Sequence, residues 1–299
     1  MDKIVILTGP TATGKSSLSI ELLERFPFEI INCDSMQVYK YFDIGTDKPN
    51  QEVLKKYPHH LLGYVEPDDE YDVKRYITDA YAKVDEIVKK GKIPLLVGGS
   101  GLYIKCFLYG LIDENGKEKE IRKKFKEFDA DYLYSKLKII DYRSYQKINK
   151  NDKYRIIRAL SFYYANGKTI SETRALHGFK KPKFNYFKLA IKFDRDLLYD
   201  KINRRVDFMI ERGLIEETKA LMERGFENSP PMKGIGYREM KLYLKGDLTK
   251  ERAVELAKQN SRKYAKRQIT WFKRENDIFW SDFTLKSSLF ERLEKFAEE

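Results

Sequence analysis

Gly9-Pro10-Thr11-Ala12-Thr13-Gly14-Lys15-Ser16 follows the apolar run Ile4-Val5-Ile6-Leu7 and precedes a helix-like stretch, Ser16 to Phe26. The string matches the phosphate-binding loop pattern, and its flanks give it weight. A strand, a glycine-rich turn and a helix N-terminus aim backbone N–H groups at one point where an anion can sit. Lys15 adds a point charge, and the Ser16 hydroxyl can ligate a magnesium ion. A chance match would lack the flanking strand and helix. Residues 9–16 therefore hold a diphosphate or triphosphate, and the loop alone leaves open which one and what becomes of it.

The pattern outward from this loop sets the fold class. Lys3–Thr8, Phe28–Asn32 and Ile93–Val97 are short apolar runs between turn signals and read as strands. Helical stretches lie between them, notably Asp72–Lys90, which ends at Gly91. Alternating strands and helices predict a parallel sheet wrapped by helices. From about Asn115 to Pro182 no strand stands out. Lys117–Phe128 is charged and helical, Asn151–Ala165 carries apolar residues at helical spacing, and Gly167 stops that helix. Phe187–Phe193 reads as a strand again, helices run from Asp194 onward, and Thr249 caps a long helix reaching about Lys273. The expected organisation is an α/β core, residues 1–115 and 184–299, interrupted by a helical insertion, 116–183.

At 299 residues the chain can bury a sizeable core, and its net charge of +12 favours a polyanionic partner over a neutral one. Solubility alone is the rival reading of that charge. Cys33 and Cys106 show no metal spacing, so a reduced, cytoplasmic setting is expected. The N-terminus lacks the zones of a signal peptide and no apolar stretch is long enough to span a bilayer, so no membrane partner is expected.

Four further segments carry candidate chemistry. Asp34-Ser35-Met36-Gln37 follows the strand Phe28–Asn32, and ligands of parallel α/β sheets bind at the carboxyl ends of strands. Asp34 can take a proton from a nucleophile or hold magnesium through water; the alternative is a carboxylate capping the next helix. Val97-Gly98-Gly99-Ser100-Gly101-Leu102-Tyr103 also lies at a strand end, with Gly98 and Gly99 where an ordinary ATPase carries an acidic residue to position magnesium. Those glycines would admit a substrate close to the backbone, and Ser100 either hydrogen-bonds in the crevice or merely starts a helix. Arg204-Arg205, within a helix from Leu197 to Arg212, can stabilise a departing diphosphate or simply face solvent. The run Lys258 to Arg274 holds Lys258, Arg262, Lys263, Lys266, Arg267, Lys273 and Arg274 with no acidic residue. Its like-charge neighbours one turn apart would be relieved by nucleic-acid phosphates, while Trp271 and Phe272 read better as core than as base-stacking groups. His59-His60 offers no third metal ligand and reads as structural.

The ordered set of motifs resembles the tRNA dimethylallyltransferases, also called tRNA isopentenyltransferases. The matching pieces are Gly9–Ser16, Asp34–Gln37 with Val38-Tyr39, Ile44-Gly45-Thr46 with Lys48-Pro49, and His59-His60-Leu61. Gly98–Tyr103, Arg155–Leu160, Gly236-Tyr237-Arg238-Glu239, Tyr264–Gln268 and Thr270-Trp271-Phe272 complete them, nearly end to end. The resemblance implies a P-loop kinase-like core with a helical insertion that binds tRNA. It implies dimethylallyl diphosphate as donor, held with Mg2+ by Gly9, Pro10, Thr11, Ala12, Thr13, Gly14, Lys15, Ser16 and Arg205, with Ser16 on the metal. The implied acceptor is N6 of the adenosine immediately 3′ of the anticodon, on a tRNA anticodon stem-loop. Asp34 would be the general base, and Asp34, Ser35, Met36 and Gln37 would read the extruded base. Ser100 stands where the family usually has Thr and keeps its hydroxyl, so the resemblance implies a catalytic, tRNA-binding residue whose hydroxyl contacts the acceptor. Arg122 and the stretch Tyr154, Arg155, Ile156, Ile157 and Arg158 would touch tRNA, with Tyr154 replacing the usual Gln; Ser161 stands where Glu is usual.

An exocyclic amine is a poor nucleophile, so positioning and departure of the diphosphate are the steps to help, and a base stacked in its loop must be extruded. The expectation is a cytoplasmic, monomeric prenyltransferase acting on tRNA. Its rivals are a free-nucleotide prenyltransferase, a small-molecule kinase using ATP, and an RNA-binding protein that uses nucleotide as a switch.

Overall fold

The computed structural model describes residues 1–111, 117–179, 181–281 and 286–298. Strand β1 (Lys3–Thr8) feeds through the glycine-rich loop into α1 (Lys15–Arg25), and β2 (Phe28–Asn32) follows. A long irregular stretch with α2 (Gln51–Lys56) leads to β3 (His59–His60), α3 (Val73–Lys89), β4 (Ile93–Val97) and α4 (Gly101–Tyr109). Five helices come next: α5 (Lys117–Phe125), α6 (Ala130–Ile140), α7 (Tyr142–Tyr145), α8 (Lys153–Asn166) and α9 (Ile170–His177). The chain then forms β5 (Asn185–Ile191), α10 (Arg195–Glu211), α11 (Leu214–Glu223), α12 (Tyr237–Leu244), α13 (Lys250–Phe272), β6 (Phe279–Ser281) and α14 (Lys286–Glu298).

The strands make one parallel sheet in the order β3-β2-β4-β1-β5-β6. Continuous apolar runs suit this arrangement because helices cover both faces. Val5, Leu7, Ile30, Leu95 and Leu189 pack with Leu18 and Leu22 of α1 and with Leu289, Leu293 and Phe296 of α14. The alternate residues Ile4, Ile6, Ile31 and Leu96 are buried too, and α3 lies against β2 and β4 through Tyr76, Ala80, Val84 and Ile87. Helix starts follow their capping chemistry: the Asp72 carboxylate accepts from the Lys74 and Arg75 amides, and Thr249 Oγ1 accepts from the Arg252 amide.

Two strands escaped the sequence pattern. β3 is the pair His59-His60, joined to Ile30 and Ile31, and β6 is three residues long, Phe279–Ser281; both are too short to stand out as strands. β5 spans 185–191 rather than 187–193, and α10 starts two residues earlier than read.

The chain divides into two compact units, Met1–Leu108 with Phe184–Glu299, and Tyr109–Lys183. The boundary read at 115–116 falls outside the described residues. The second unit has its own core, formed by Leu133 and Leu137 of α6, Ile156, Ile157, Leu160 and Phe162 of α8, and Ile170 of α9. It carries 19 Lys and Arg against 10 Asp and Glu, a net +9 of the chain's +12. No helix among the described residues is long and apolar enough to cross a membrane.

A candidate active site at the carboxyl edge of the sheet

Register brings the loops after β1, β4 and β2 side by side. Leu7 and Asn32 both pair with Val97, and the ladder continues past the strands through Gly98 N–H to Leu7 O (3.1 Å) and Cys33 N–H to Val97 O (2.8 Å). Gly9–Ser16, Gly98–Ser100 and Asp34–Gln37 therefore share one edge, at the point where the strand order reverses.

The loop itself needs backbone that few side chains adopt. Gly9 has φ +128° and Gly14, which precedes α1, has φ +93°. Thr13 Oγ1 donates to Pro10 O (3.0 Å), and the Lys15 ammonium bridges Gly9 O (3.1 Å) and Pro10 O (2.6 Å). Burial pushes the Lys15 ammonium down to about 7; the Arg205 guanidinium pushes the same way and the Asp34 carboxylate opposes it. Lys15, Arg205 and Asp34 thus share one electrostatic neighbourhood, with two cations crowded where an anion would relieve them. Ser16 is exposed on the first turn of α1. Among the described residues no group of three acidic, His or Cys side chains could hold a metal. A hydroxyl beside a phosphate loop fits magnesium, which keeps several waters and takes substrate phosphate oxygens as ligands.

Arg205 lies on α10 just off the buried stripe Leu198, Ile202, Val206 and Met209, while Arg204 is exposed. Arg205 Nη1 donates to Thr11 Oγ1, and its Nε lies 3.1 Å from Asp47 Oδ2, an ion pair off the line of a hydrogen bond. Of the adjacent pair, the one next to the buried stripe is the one that turns inward.

Asp34 is half-buried, and Oδ1 accepts from the Met36 (2.8 Å) and Gln37 (3.4 Å) amides. It caps a turn rather than a helix and leaves Oδ2 out of that turn. Gln37 Nε2 donates to Thr46 O (3.0 Å) and Asp47 O (3.2 Å), which fixes the amide's orientation because both partners can only accept. Oε1 is then the atom available to accept from an amine. Met36 packs on the turn before α12, where a Cβ on Gly234 would sit 2.6 Å from its Cε. Ser100 is half-buried, directly before α4, and its carbonyl accepts from Ile104 N–H (3.1 Å).

The glycines after β4 make room for the protein's own packing. A Cβ on Gly98 would meet Cys33 O at 2.0 Å, one on Gly99 would meet Gln268 Nε2 at 2.2 Å, and one on Gly101 would meet Trp271 Nε1 at 2.3 Å. The protein's own β2 end and α13 approach these backbones closely. Gln268, buried in α13, ties two strand-end loops together: Oε1 accepts from Thr11 N–H (2.9 Å) and Nε2 donates to Gly99 O (3.0 Å). The residue sits in the Tyr264–Gln268 motif, but sequence reasoning gave it no role because its partners lie 257 and 169 positions away.

The basic run on α13 separates into two sets. Lys258 pairs with Asp207 (2.6 Å), and Arg262 donates to Asn203 Oδ1 (2.5 Å) and pairs with Glu255 (3.1 Å), so these cations are relieved internally. Lys263, Lys266, Arg267 and Thr270 line one exposed face. Phe272 is core as expected, but Trp271 is 36% exposed, lying on Gly101 with its indole N–H on Glu275. His59-His60 is a sheet edge, His60 Nε2 lying 2.9 Å from Glu29. Cys33 and Cys106 are buried thiols, and burial raises Cys33 to about 12.

In the second unit, Tyr154 is 71% exposed, and Arg155, also exposed, pairs with Asp152 (2.9 Å). Arg158 is half-buried. Ile156 and Ile157 are correctly read as helical but their side chains are in that unit's core, so they cannot offer side-chain contacts to RNA. Arg122 Nη2 donates to the buried Glu118 (2.9 Å), whose other oxygen accepts from Asn166 (2.9 Å).

Fold and site define an α/β enzyme of the phosphate-loop class, with a carboxylate at the end of β2 and none at the end of β4. The family model described as IPP transferase matches residues 37–275, a stretch that begins after the phosphate loop and Asp34. A tRNA dimethylallyltransferase of Acetivibrio thermocellus is 42% identical over 286 residues, spanning 94% of this chain and 91% of its own length. Another, from Thermoanaerobacter sp., is 44% identical, spanning 93% and 91%. The crystal structure of a tRNA isopentenylpyrophosphate transferase from Staphylococcus epidermidis superposes with a TM-score of 0.74 at 35% identity, covering both chains in full. A eukaryotic dimethylallyltransferase, solved acting on tRNA, superposes with a TM-score of 0.82 at 31% identity over 94% of this chain and 74% of its own. The chain belongs to the IPP transferase family.

Proposed function

We propose that this enzyme transfers a dimethylallyl group from dimethylallyl diphosphate to N6 of the adenosine immediately 3′ of a tRNA anticodon, releasing diphosphate. The observation that carries the reading is the convergence of Lys15, Arg205 and Asp34 at the sheet's carboxyl edge, two cations and one carboxylate where an anion and a proton donor could meet. The relatives' names and the +9 charge of the second unit support RNA as the acceptor.

The phosphate loop, Lys15 and Arg205 hold the diphosphate of the donor. The acceptor adenine, extruded from its stack, lies against Asp34–Gln37 and Ser100. Gln37 Oε1 accepts from one N6 hydrogen and turns the nitrogen toward the allylic carbon. The N6 lone pair forms the new C–N bond as the C–O bond breaks; the electron pair leaves with the diphosphate, and the displaced N6 proton passes to Asp34 Oδ2. Lys15 and Arg205 stabilise the charge that grows on the leaving oxygen. Magnesium, when bound at Ser16 and the diphosphate, supplies further charge neutralisation. Arg122, Tyr154, Arg155 and Arg158 contact tRNA from the second unit. The enzyme works as a monomer in the cytoplasm, where its buried thiols persist.

Incubation with labelled dimethylallyl diphosphate, magnesium and unmodified tRNA tests the reading. Label in the RNA, recovered as prenylated adenosine beside the anticodon, is expected. Label in AMP alone, consumption of ATP without prenyl transfer, or RNA binding with no transfer would each overturn it.

A further inference from the structure

We propose that Asp47 is a positioning residue for this reaction, holding Arg205 in its productive orientation from a loop that also sets Gln37. The inference rests on the reading of Arg205 as the arginine on the departing diphosphate.

The loop from Asp43 to Asp47 is clamped from behind. The Glu217 carboxylate accepts from three consecutive amides, Asp43 (3.2 Å), Ile44 (2.9 Å) and Gly45 (3.4 Å). The Tyr237 hydroxyl donates to the same carboxylate and accepts from the Gly45 amide (3.0 Å). A Cβ on Gly45 would lie 2.5 Å from the Tyr237 ring, so the loop packs flush on α12. Thr46 Oγ1 closes the loop on Phe42 O (2.6 Å), and Lys48, itself buried, holds Asp43 (2.7 Å). These contacts fix the backbone in front of Asp47, whose φ is +56°.

From that anchored backbone Asp47 reaches α10. Oδ2 is 3.1 Å from Arg205 Nε and Oδ1 is 3.7 Å from Arg212 Nη1. Arg205 Nη1 is on Thr11 of the phosphate loop, so the guanidinium is stretched between a carboxylate on one side and the loop on the other. Its Nη2 donors take part in neither contact. A long side chain beside the like charge of Lys15 would otherwise swing away, and Asp47 supplies the charge that keeps it in place. Gln37 donates to the carbonyls of Thr46 and Asp47, so one rigid loop sets both the side chain that faces the acceptor amine and the cation that faces the leaving group.

Asp47→Asn is the informative change, because Asn tolerates positive φ and keeps the backbone carbonyl that Gln37 uses. Losing the carboxylate loosens Arg205 but also removes a negative charge near the diphosphate. These act in opposite directions on ground-state binding, whereas the transition state, in which charge grows on the leaving oxygen, depends more steeply on where Arg205 is held. The expected result is a fall in kcat of about tenfold or more, with KM for dimethylallyl diphosphate, tRNA affinity and the melting temperature little changed. In an Arg205→Ala background the same substitution should cause no further fall in kcat. An unchanged kcat, an equal fall without Arg205, or a parallel loss of tRNA affinity and thermal stability would overturn the role. Wild-type enzyme is assayed first: no transfer there sinks the proposed function and this role with it, whereas transfer in the wild type with any of those three results sinks the role of Asp47 alone.

Discussion

Lys15→Met should make the protein more stable at neutral pH while removing its response to diphosphate. The Lys15 ammonium titrates at about 7 instead of 10.5, chiefly because it is buried and then because Arg205 stands beside it. The unfolded chain therefore binds a proton that the folded chain does not hold between those two values. At about 1.4 kcal/mol per tenfold, keeping this lysine costs roughly 4 kcal/mol at pH 7 as an upper bound. Methionine forfeits the bonds to Gly9 O and Pro10 O, each about 0.5–1.5 kcal/mol. The balance is a gain of about 1–3 kcal/mol, or a melting temperature roughly 5 °C higher for a unit of this size. Because the folded-state value is the lower one, wild-type stability rises with pH between 7 and 10.5, and the variant's advantage shrinks over the same window and vanishes above it. Melts of both proteins from pH 6 to pH 10.5, with and without pyrophosphate, test this. Pyrophosphate should raise the melting temperature of the wild type alone. A variant that melts at or below the wild type at pH 7, or a gap that does not narrow with pH, would refute the reasoning.

Asp34→Asn keeps an oxygen for the Met36 and Gln37 amides, so it isolates proton transfer from loop shape. Prenyl transfer should fall about 10²–10⁴-fold with stability within about 0.5 kcal/mol, and a variant retaining near-normal turnover would remove Asp34 as the base. Gly98→Ala forces a Cβ to within 2.0 Å of a backbone carbonyl and should cost about 3 kcal/mol in a denaturant titration; a neutral change would mean that the β2–β4 contact is looser than described. Glu118→Gln removes the buried carboxylate to which Arg122 and Asn166 donate and should destabilise the 109–183 unit by about 1–3 kcal/mol. Hydrogen exchange confined to that unit reads the effect, and unchanged protection there would argue that the pair contributes nothing.

The sequence by itself determined the phosphate loop, the parallel α/β class and most of the strands and helices, because those depend on neighbours within one turn or strand: Gly9 and Gly14 for the loop, apolar runs for β1, β2 and β4, Asp72 and Thr249 for helix starts. It also brought Asp34 and Lys15 to the same edge through the rule for strand ends. Only the tertiary structure decided what each candidate faces. Composition could not separate Arg205 from Arg204, or Arg262, engaged by Asn203 and Glu255, from the exposed Lys266. The glycines of 98–101 are occupied by Cys33, Gln268 and Trp271, and the arginine facing the phosphate loop is held by an aspartate 158 residues away. Such contacts join residues far apart in the chain. Their existence follows from sheet order and helix packing, which local propensity and spacing do not encode.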